Sequence, residues 1–469
     1  MPSNTYLLND QEMKDFVRNG YIKLQPDYPT ELNQKIFMDI EQMFDNTGNL
    51  GNNILPLIPE IQEIFKHPLA HGALTSILGP DYVMHSHRFC HLNSSRSRGQ
   101  SFHRDSYEGD ISASNHRCRW AMAFYYPQNT PRSVGPTAIL PRSQYYETNQ
   151  AANRQVELPL LGQAGTLTIV HYDLWHRAMP NLSSHNRYML KFLFYRLKDP
   201  DIPTWKSEQN DCLHLIETEV PNSEEQPMWQ KIWHWYMGKP KIQTRDLNNR
   251  DLSNLVSQLS DELEVNRLQS AYMLGTAGEK AVPKLVDQLS DKSVAPYATL
   301  ALGAGDETAI PALGSALNHP EDVVRAQAAR ALGDLGYPSA ITELAKLLFD
   351  ITPTVRRNAA EAIGNLSSRS SVNENLQFLR GQAEALGQLL QDDLYWIRDN
   401  AARSLAKMGR AAEPALHNLK LALDDQNRYV RSNAAIALKQ IASCEAHRIL
   451  LDNLFAARWC PLTTKESPF

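Results

Sequence analysis

Hydrophobic residues along this chain follow two different rhythms. Between about residues 80 and 196, apolar positions come in short runs rich in β-branched and aromatic residues, YVMHSHRF, RWAMAFYYP, GTLTIVHY and RYMLKFLFY, set apart by Gly, Pro and Asn. Runs of this kind predict the strands of an antiparallel sandwich or barrel. Two stretches with apolar residues at helical spacing, DQEMKDFVRNG and ELNQKIFMDIEQMF, precede them and predict flanking helices.

From about Leu263 the rhythm becomes helical and repeats itself. A Val or Ile followed by Arg and an alanine-rich run recurs at Val324, Val355, Ile397 and Val430, spaced 31, 42 and 33 residues apart, with weaker copies around Ala271 and Ala298. Each copy is paired with a second amphipathic stretch, such as AIPALGSAL from Ala309. One helical hairpin cannot bury its apolar face alone, so the units must stack into an all-α solenoid, and the alanines let neighbouring helices approach closely. The pattern resembles HEAT repeats, in the short variety also found in phycobilin lyases. The organisation expected is residues 1–198 as a strand-rich domain, 199–254 as a bridge carrying Trp229, Trp233, Trp235 and Tyr236, and 255–469 as the solenoid. A repeat array of this kind either binds a protein partner or shapes the domain beside it.

Composition narrows the function classes. The 469 residues hold 42% apolar and 21% charged positions, a mixture that folds. Lys plus Arg number 47 against 52 Asp plus Glu, a formal charge of −5, so the basic excess that nucleic-acid phosphates require is missing and no nucleic-acid partner is expected. Cys90, Cys118, Cys212, Cys444 and Cys460 form no Cys-x-x-Cys pair, which argues against a disulfide framework or a cysteine zinc site. Neither a basic start with an apolar core nor a long apolar window occurs, and Ser467-Pro468-Phe469 is not a peroxisomal address, so a soluble, cytoplasmic protein without membrane contact is expected.

Three His-x-acid pairs stand out: His103/Asp105, His171/Asp173 and His319/Glu321. A chain rich in acids produces such pairs by chance, and His319/Glu321 sits in a repeat loop without further ligands. Residues i and i+2 of a strand share a face, so His103 and Asp105 can reach one metal ion together. His176, at the edge of the turn after GTLTIVHY, offers a third ligand. Two histidines and a carboxylate form the facial triad of non-haem Fe(II). On spacing alone the alternative stays open that His103 and Asp105 are a hydrogen-bonded surface pair and His176 a turn cap. In YVMHSHRFCHLN, Cys90 points away from His85, His87 and His91, which suits histidines lining a substrate cavity better than a second metal site.

At these positions the chain resembles the phytanoyl-CoA dioxygenase family of Fe(II)- and 2-oxoglutarate-dependent oxygenases, from about Leu7 to Arg196. The resemblance is carried by LNDQEMKDFVRNGYIKL, SILGPDYVMHSH, FHRDS, GPTAILPRSQ and GTLTIVHYDLWHRAMPNLSSHNRYMLKF. It implies a double-stranded β-helix, a jelly-roll or cupin-like barrel with flanking helices, fused to the solenoid. It further implies His103, Asp105 and His176 as iron ligands and catalytic residues. Arg187, eleven residues after His176, is implied to hold the distal carboxylate of 2-oxoglutarate, with Lys191 and Arg196 as fallbacks and Trp120 lining the cosubstrate pocket. The implied activity uses Fe(II), 2-oxoglutarate and O2 to oxidise, by default hydroxylate, an aliphatic C–H of a small-molecule substrate, releasing succinate and CO2. Arg142 and Gln144 depart from the family's Pro-Gly-Ser-His turn, and Ala178 from a Ser of some relatives. The reading from another class is a catalytically silent barrel carried by a protein-interaction scaffold.

Overall fold

The computed structural model describes residues 4–49, 51–105, 116–208, 225–239, 245–369 and 376–456; Ser106, Cys212, Cys460 and the C-terminal tripeptide lie outside them. Among the described residues, eight strands form two antiparallel sheets. β1 (Tyr21–Leu24), β2 (Val83–Asn93), β3 (Trp120–Tyr125), β6 (Leu167–His171) and β8 (Arg187–Tyr195) make a five-stranded sheet in the order β1-β6-β3-β8-β2. The short strands β4 (Thr137–Ile139), β5 (Leu158–Pro159) and β7 (His176–Ala178) make the second, in the order β5-β4-β7. Alternation sorts the side chains. Met122, Phe124, Met189 and Leu193 meet Ile139 and Val170 in an interior cluster between the sheets. Their neighbours Ala121, Ala123, Leu190 and Phe192 point outward and pack in the main core with Ile36, Ile40, Leu74 and Ile77 of the helices Thr30–Asn46 and Pro68–Leu78. This is the expected double-stranded β-helix with flanking helices, followed by a helical-repeat region.

The repeats show what their Val/Ile-Arg signature does. Arg325 donates from Nε and Nη2 to Asp350 at 2.8 and 3.0 Å, Arg356 reaches Asp392 and Arg398 reaches Asp425 in the same way, and each spends Nη1 on two carbonyls of its own loop. Each aspartate belongs to the next repeat, so the arginines form a ladder that joins the stack. Arg431, in the last repeat, keeps only the loop carbonyls of Asp425 and Gln426. Small residues set the helix spacing: a Cβ on Gly333 would stand 2.8 Å from Cβ of Ala362 in the next repeat.

One row of repeat helices faces the barrel. His116 Nδ1 meets the Tyr272 hydroxyl at 2.8 Å, Arg117 Nη2 donates to the Gly303 carbonyl at 3.1 Å, and Arg119 Nη1 donates to Asp334 at 3.1 Å. Ser368 Oγ accepts from the Asp199 N–H, Arg403 lies 5.1 Å over the Trp120 ring, and Asn433 accepts from the Tyr195 hydroxyl at 2.8 Å. The helix Gln226–Tyr236 buries Trp229, Trp233, Trp235 and Tyr236 beside this seam, with Arg196 stacked 4.8 Å over Trp235. No helix among the described residues is long and apolar enough to cross a membrane.

The ladder predicts an asymmetry between repeats. Arg356→Ala leaves Asp392 without its fork and should lower the stability of the full chain by about 2 kcal/mol, whereas Arg431→Ala should lower it by less than about 1 kcal/mol, both read from urea unfolding. Burial alone would raise the Asp350 carboxyl, but Arg325 and the Thr352 N–H outweigh it and hold it below the usual range, and Asp425 is held down likewise by Arg398. Carboxyls so depressed stabilise the fold above their unfolded pKa, about 3.9, and lose that contribution as pH falls through the folded value. The gap between wild type and Arg325→Ala, which strips Asp350 of its fork, should therefore be constant from neutral pH to about 5 and shrink below about 4.

Candidate metal centre

The centre is built from one pair of backbone hydrogen bonds. β7 opens on His176, and an isolated antiparallel bridge joins it to His103, each N–H donating to the other's carbonyl at 3.0 Å. The rings are held with centroids 4.6 Å apart. Nδ1 of His103 lies 3.0 Å from the Ser101 carbonyl and Nδ1 of His176 lies 2.9 Å from the Leu174 carbonyl. A carbonyl only accepts, so in both rings Nδ1 carries the proton and Nε2 presents its lone pair. Asp105 completes the set: ligand atoms of His103, Asp105 and His176 all lie within 4.8 Å of one another, the only such group of three among the described residues.

The route to this arrangement differs from the expected one. His103 and Asp105 do not lie on one continuous strand, because backbone pairing here stops at the single His103–His176 bridge. His176 is the first residue of β7 rather than a residue at a turn edge. A three-residue strand carries too little alternation to be read from sequence.

Electrostatics suit a divalent cation. Burial pushes the His176 imidazole down to about 4, with Lys191 and His103 acting the same way against Asp105, so the ring is neutral at pH 7. Burial would raise the Asp105 carboxyl, yet His176, Lys191 and His103 together hold it well below the usual carboxylate range. Two imidazoles and one carboxylate are the donor set of a facial triad. Sequence reading did not foresee that Lys191, buried on β8, donates from Nζ to Asp105 Oδ2 at 2.7 Å. Its partner was hidden because residues 105 and 191 are remote in sequence and paired only by the fold.

Arg187 begins β8 and is 1% exposed. Its Nε donates to the Gly135 carbonyl at 3.0 Å, its guanidinium lies 5.9 Å from the Tyr126 ring, and its buried Nη1 has no partner among the described residues. An orphaned guanidinium N–H in the barrel interior fits a carboxylate guest. Gly135, at φ 68°, has no room for a side chain, since a Cβ there would stand 2.4 Å from Asn93 Nδ2.

Trp120 is not brought to Arg187. It pairs with Tyr195 in the β3–β8 register, eight residues along β8 from Arg187 and so roughly 26 Å away at about 3.3 Å per residue. Its ring packs against Tyr195 and His85 under Arg403, at the seam with the solenoid. Arg196 also lies beyond that end of β8, while Lys191 lies between the two ends.

The other candidates occupy structural posts. His171 Nδ1 accepts from the Asp173 N–H in the turn after β6, and His319 accepts likewise from Glu321 in its exposed loop. His91 sits opposite Met189, facing the barrel interior, and burial with the nearby charge of Lys191 pushes it down to about 3. His87 Nδ1 meets the Tyr429 hydroxyl of the solenoid at 2.7 Å and His85 stacks on the same ring, whereas Cys90 lies in the outer core. The departures at the loop are accounted for. Gln144 donates to the Val17 and Arg18 carbonyls, and Arg142, at φ 72°, pairs with Glu225. Ala178 offers no hydroxyl, and its N–H donates to Gln100 Oε1 at 3.3 Å.

Residues 31–189 match the phytanoyl-CoA dioxygenase (PhyH) family profile, and HEAT repeats match in overlapping windows, 282–364, 310–385, 346–439 and 383–456. No curated protein matches the chain. Among solved structures, EctD from S. alaskensis with 2-oxoglutarate and 5-hydroxyectoine is 13% identical at a TM-score of 0.37, with 44% of this chain and 84% of that chain covered. The non-heme alpha ketoglutarate dependent epimerase SnoN from nogalamycin biosynthesis is 12% identical at a TM-score of 0.35, with 40% and 83% covered.

Lys191 competes for Asp105 with any cation that enters the triad. Lys191→Met should therefore tighten binding of Mn(II), added alone as a redox-inert probe, by about 10-fold. Calorimetric titration checks it, and weaker binding in the variant would show that the lysine organises the site rather than competing for it.

Proposed function

We propose, from the premise that residues 31–189 are a phytanoyl-CoA dioxygenase family domain joined to HEAT repeats at 282–456, that this chain is an Fe(II)- and 2-oxoglutarate-dependent dioxygenase. Its reaction is oxidation, by default hydroxylation, of an aliphatic C–H of a small organic substrate, with release of succinate and CO2. The observation that carries this reading is the triad of His103, Asp105 and His176, with both Nδ1 atoms committed to carbonyls and Nε2 of His176 3.8 Å from Asp105 Oδ2.

When bound, iron with 2-oxoglutarate and O2 supplies the oxidising power that turns C–H into C–OH. His103, Asp105 and His176 would hold the metal through two imidazoles and one carboxylate. Arg187 takes the distal carboxylate of 2-oxoglutarate through its unpartnered Nη1, in a dry site where a charge-assisted bond is strong. Phe124, whose ring centroid is 5.7 Å from that of His176, and Leu193 and Met189 keep water from the reacting centre. His91 and His87 line the approach for substrate. In this proposal the domain spans residues 1–198, the bridge 199–254 and the solenoid 255–469, and a protein partner would meet the repeats on a face other than the row that covers the barrel.

One observation favours the second reading, a silent barrel: the Lys191–Asp105 ion pair already neutralises the carboxylate on which the metal depends. Anaerobic addition of Fe(II) and 2-oxoglutarate separates the two. The dioxygenase reading expects a visible charge-transfer band, lost in His103→Ala, Asp105→Ala and His176→Ala while far-UV circular dichroism is unchanged; no band in wild-type protein means a scaffold.

Arg187→Gln keeps hydrogen-bonding capacity and deletes the charge. The 2-oxoglutarate concentration needed for the band should rise about 30- to 1000-fold, equivalent to about 2–4 kcal/mol. An unchanged requirement, with Lys191→Gln showing the defect instead, would move the carboxylate contact to Lys191.

A further inference from the structure

The irregular part of β2 is held by the solenoid. Backbone pairing with β8 runs from Asn93 to Arg88 and resumes only at Met84, so among the described residues His85, Ser86 and His87 have no place in the ladder. Side chains fix this stretch instead. Tyr429, on the helix Arg428–Ile441 of the last repeat, stacks on His85 with ring centroids 5.2 Å apart and 21° between the planes, and its hydroxyl lies 2.7 Å from Nδ1 of His87. His85 Nδ1 in turn accepts from the His87 N–H at 3.3 Å. One tyrosine of the solenoid thus touches both histidines of the bulge.

The neighbours of His87 decide which of its nitrogens carries the proton. Burial and Lys191 push the imidazole down to about 4 against the pull of Asp105, and Arg428 pushes the same way, so the ring is neutral at neutral pH. A neutral imidazole has one N–H and one lone pair, and the hydrogen bond made at one nitrogen settles the other. Arg428 stands 5.0 Å over the Tyr429 ring and donates from Nη2 to its hydroxyl oxygen at 3.3 Å. A phenol that already accepts from a guanidinium becomes a stronger donor toward its second partner. The Tyr429 O–H therefore goes to Nδ1 of His87, which leaves the His87 proton on Nε2. Lys191 and Asp105, whose charges act on this ring, belong to the triad side of the barrel, so His87 stands between the triad and the solenoid.

We propose that Tyr429 is a positioning residue of the oxygenase site: it locks His87 in the Nε2–H tautomer and so lines the substrate approach with a neutral hydrogen-bond donor. The proposal rests on the dioxygenase reading for the identity of that site. Although 342 residues separate the pair in sequence, the donor keeps its tautomer and orientation only while the last repeat is docked. The solenoid then supplies part of the site's chemistry in addition to covering the barrel.

Nitrogen NMR of the full-length chain carrying isotope-labelled histidine reads the tautomer directly, with each signal assigned by its loss on substitution. In wild-type protein His87 should show a protonated Nε2 and a bare Nδ1. Tyr429→Phe keeps the ring on His85 and deletes the hydroxyl, so the Nδ1–H fraction of His87 should rise about 5- to 10-fold while the circular dichroism stays native. Tyr195→Phe removes a different bond across the same seam, from the Tyr195 hydroxyl to Asn433, and should leave the His87 tautomer unchanged. A protonated Nδ1 in wild type, an unchanged tautomer in Tyr429→Phe, or an equal change in Tyr195→Phe would overturn the role. Mn(II), added alone to the wild-type chain, then locates His87, because its paramagnetism should broaden the signals of His103, His176 and His87. Broadening of the first two without His87 would overturn the positioning role alone, whereas sharp signals from His103 and His176 would sink the metal reading and the role with it.

Discussion

Arg119 holds the three parts of this chain together. It stands one residue before β3, donates from Nε and Nη2 to Asp199 at 2.9 and 3.0 Å, and gives Nη1 to Asp334 of the solenoid. One guanidinium thus ties a barrel strand, the segment after β8 and a repeat helix at a site only 7% exposed. A buried ion network adds little net stability over well-packed apolar groups, but removing one partner strands the others and costs about 3–5 kcal/mol. Its larger effect is on geometry. A bidentate fork accepts one orientation, so the angle at which the solenoid meets the barrel is fixed by chemistry and not only by apolar contact.

Much of this architecture was legible because it follows from burial. The four long strands announced themselves through β-branched and aromatic runs, and the solenoid through the recurrence of Val324, Val355, Ile397 and Val430. The triad was legible at the level of residue type and spacing. Its supports were not: β4, β5 and β7 are too short to show a period, and the His103–His176 bridge is a backbone event that any side chain would permit. Lys191 was noticed only as a spare cation, since its pairing with Asp105 depends on a register that the strand RYMLKFLFY does not reveal. Trp120 was read as cosubstrate-lining from its place after the metal motif, yet the register sets it at the other end of β8, where arginine and tyrosine surround it.

Whole-chain charge was equally uninformative about local charge. With acids slightly in excess overall, nothing in the balance marks a basic site, but the fold gathers Arg117, Arg119, Arg196, Arg403 and Lys407 from separate segments into one seam. Such convergence is costly in the absence of counter-charge, and the chain meets part of the cost with ion pairs to Asp199, Asp334 and Asp399 and with the charge of Glu361 acting on Lys407.

The solenoid reaches further than the seam. Tyr429 of the last repeat bonds His87 and stacks on His85, and the charges of Lys191 and Asp105 are close enough to act on His87 in turn. A displacement of the last repeat would therefore move β2 near its irregular register between Met84 and Arg88, where the strand has few ladder bonds to resist it. Lys191 faces Phe89 on that same strand and donates to Asp105. The repeat array covers the barrel along a whole row of helices and ends within reach of its polar interior. Under the dioxygenase reading, that placement would make the repeat array a wall of the substrate approach.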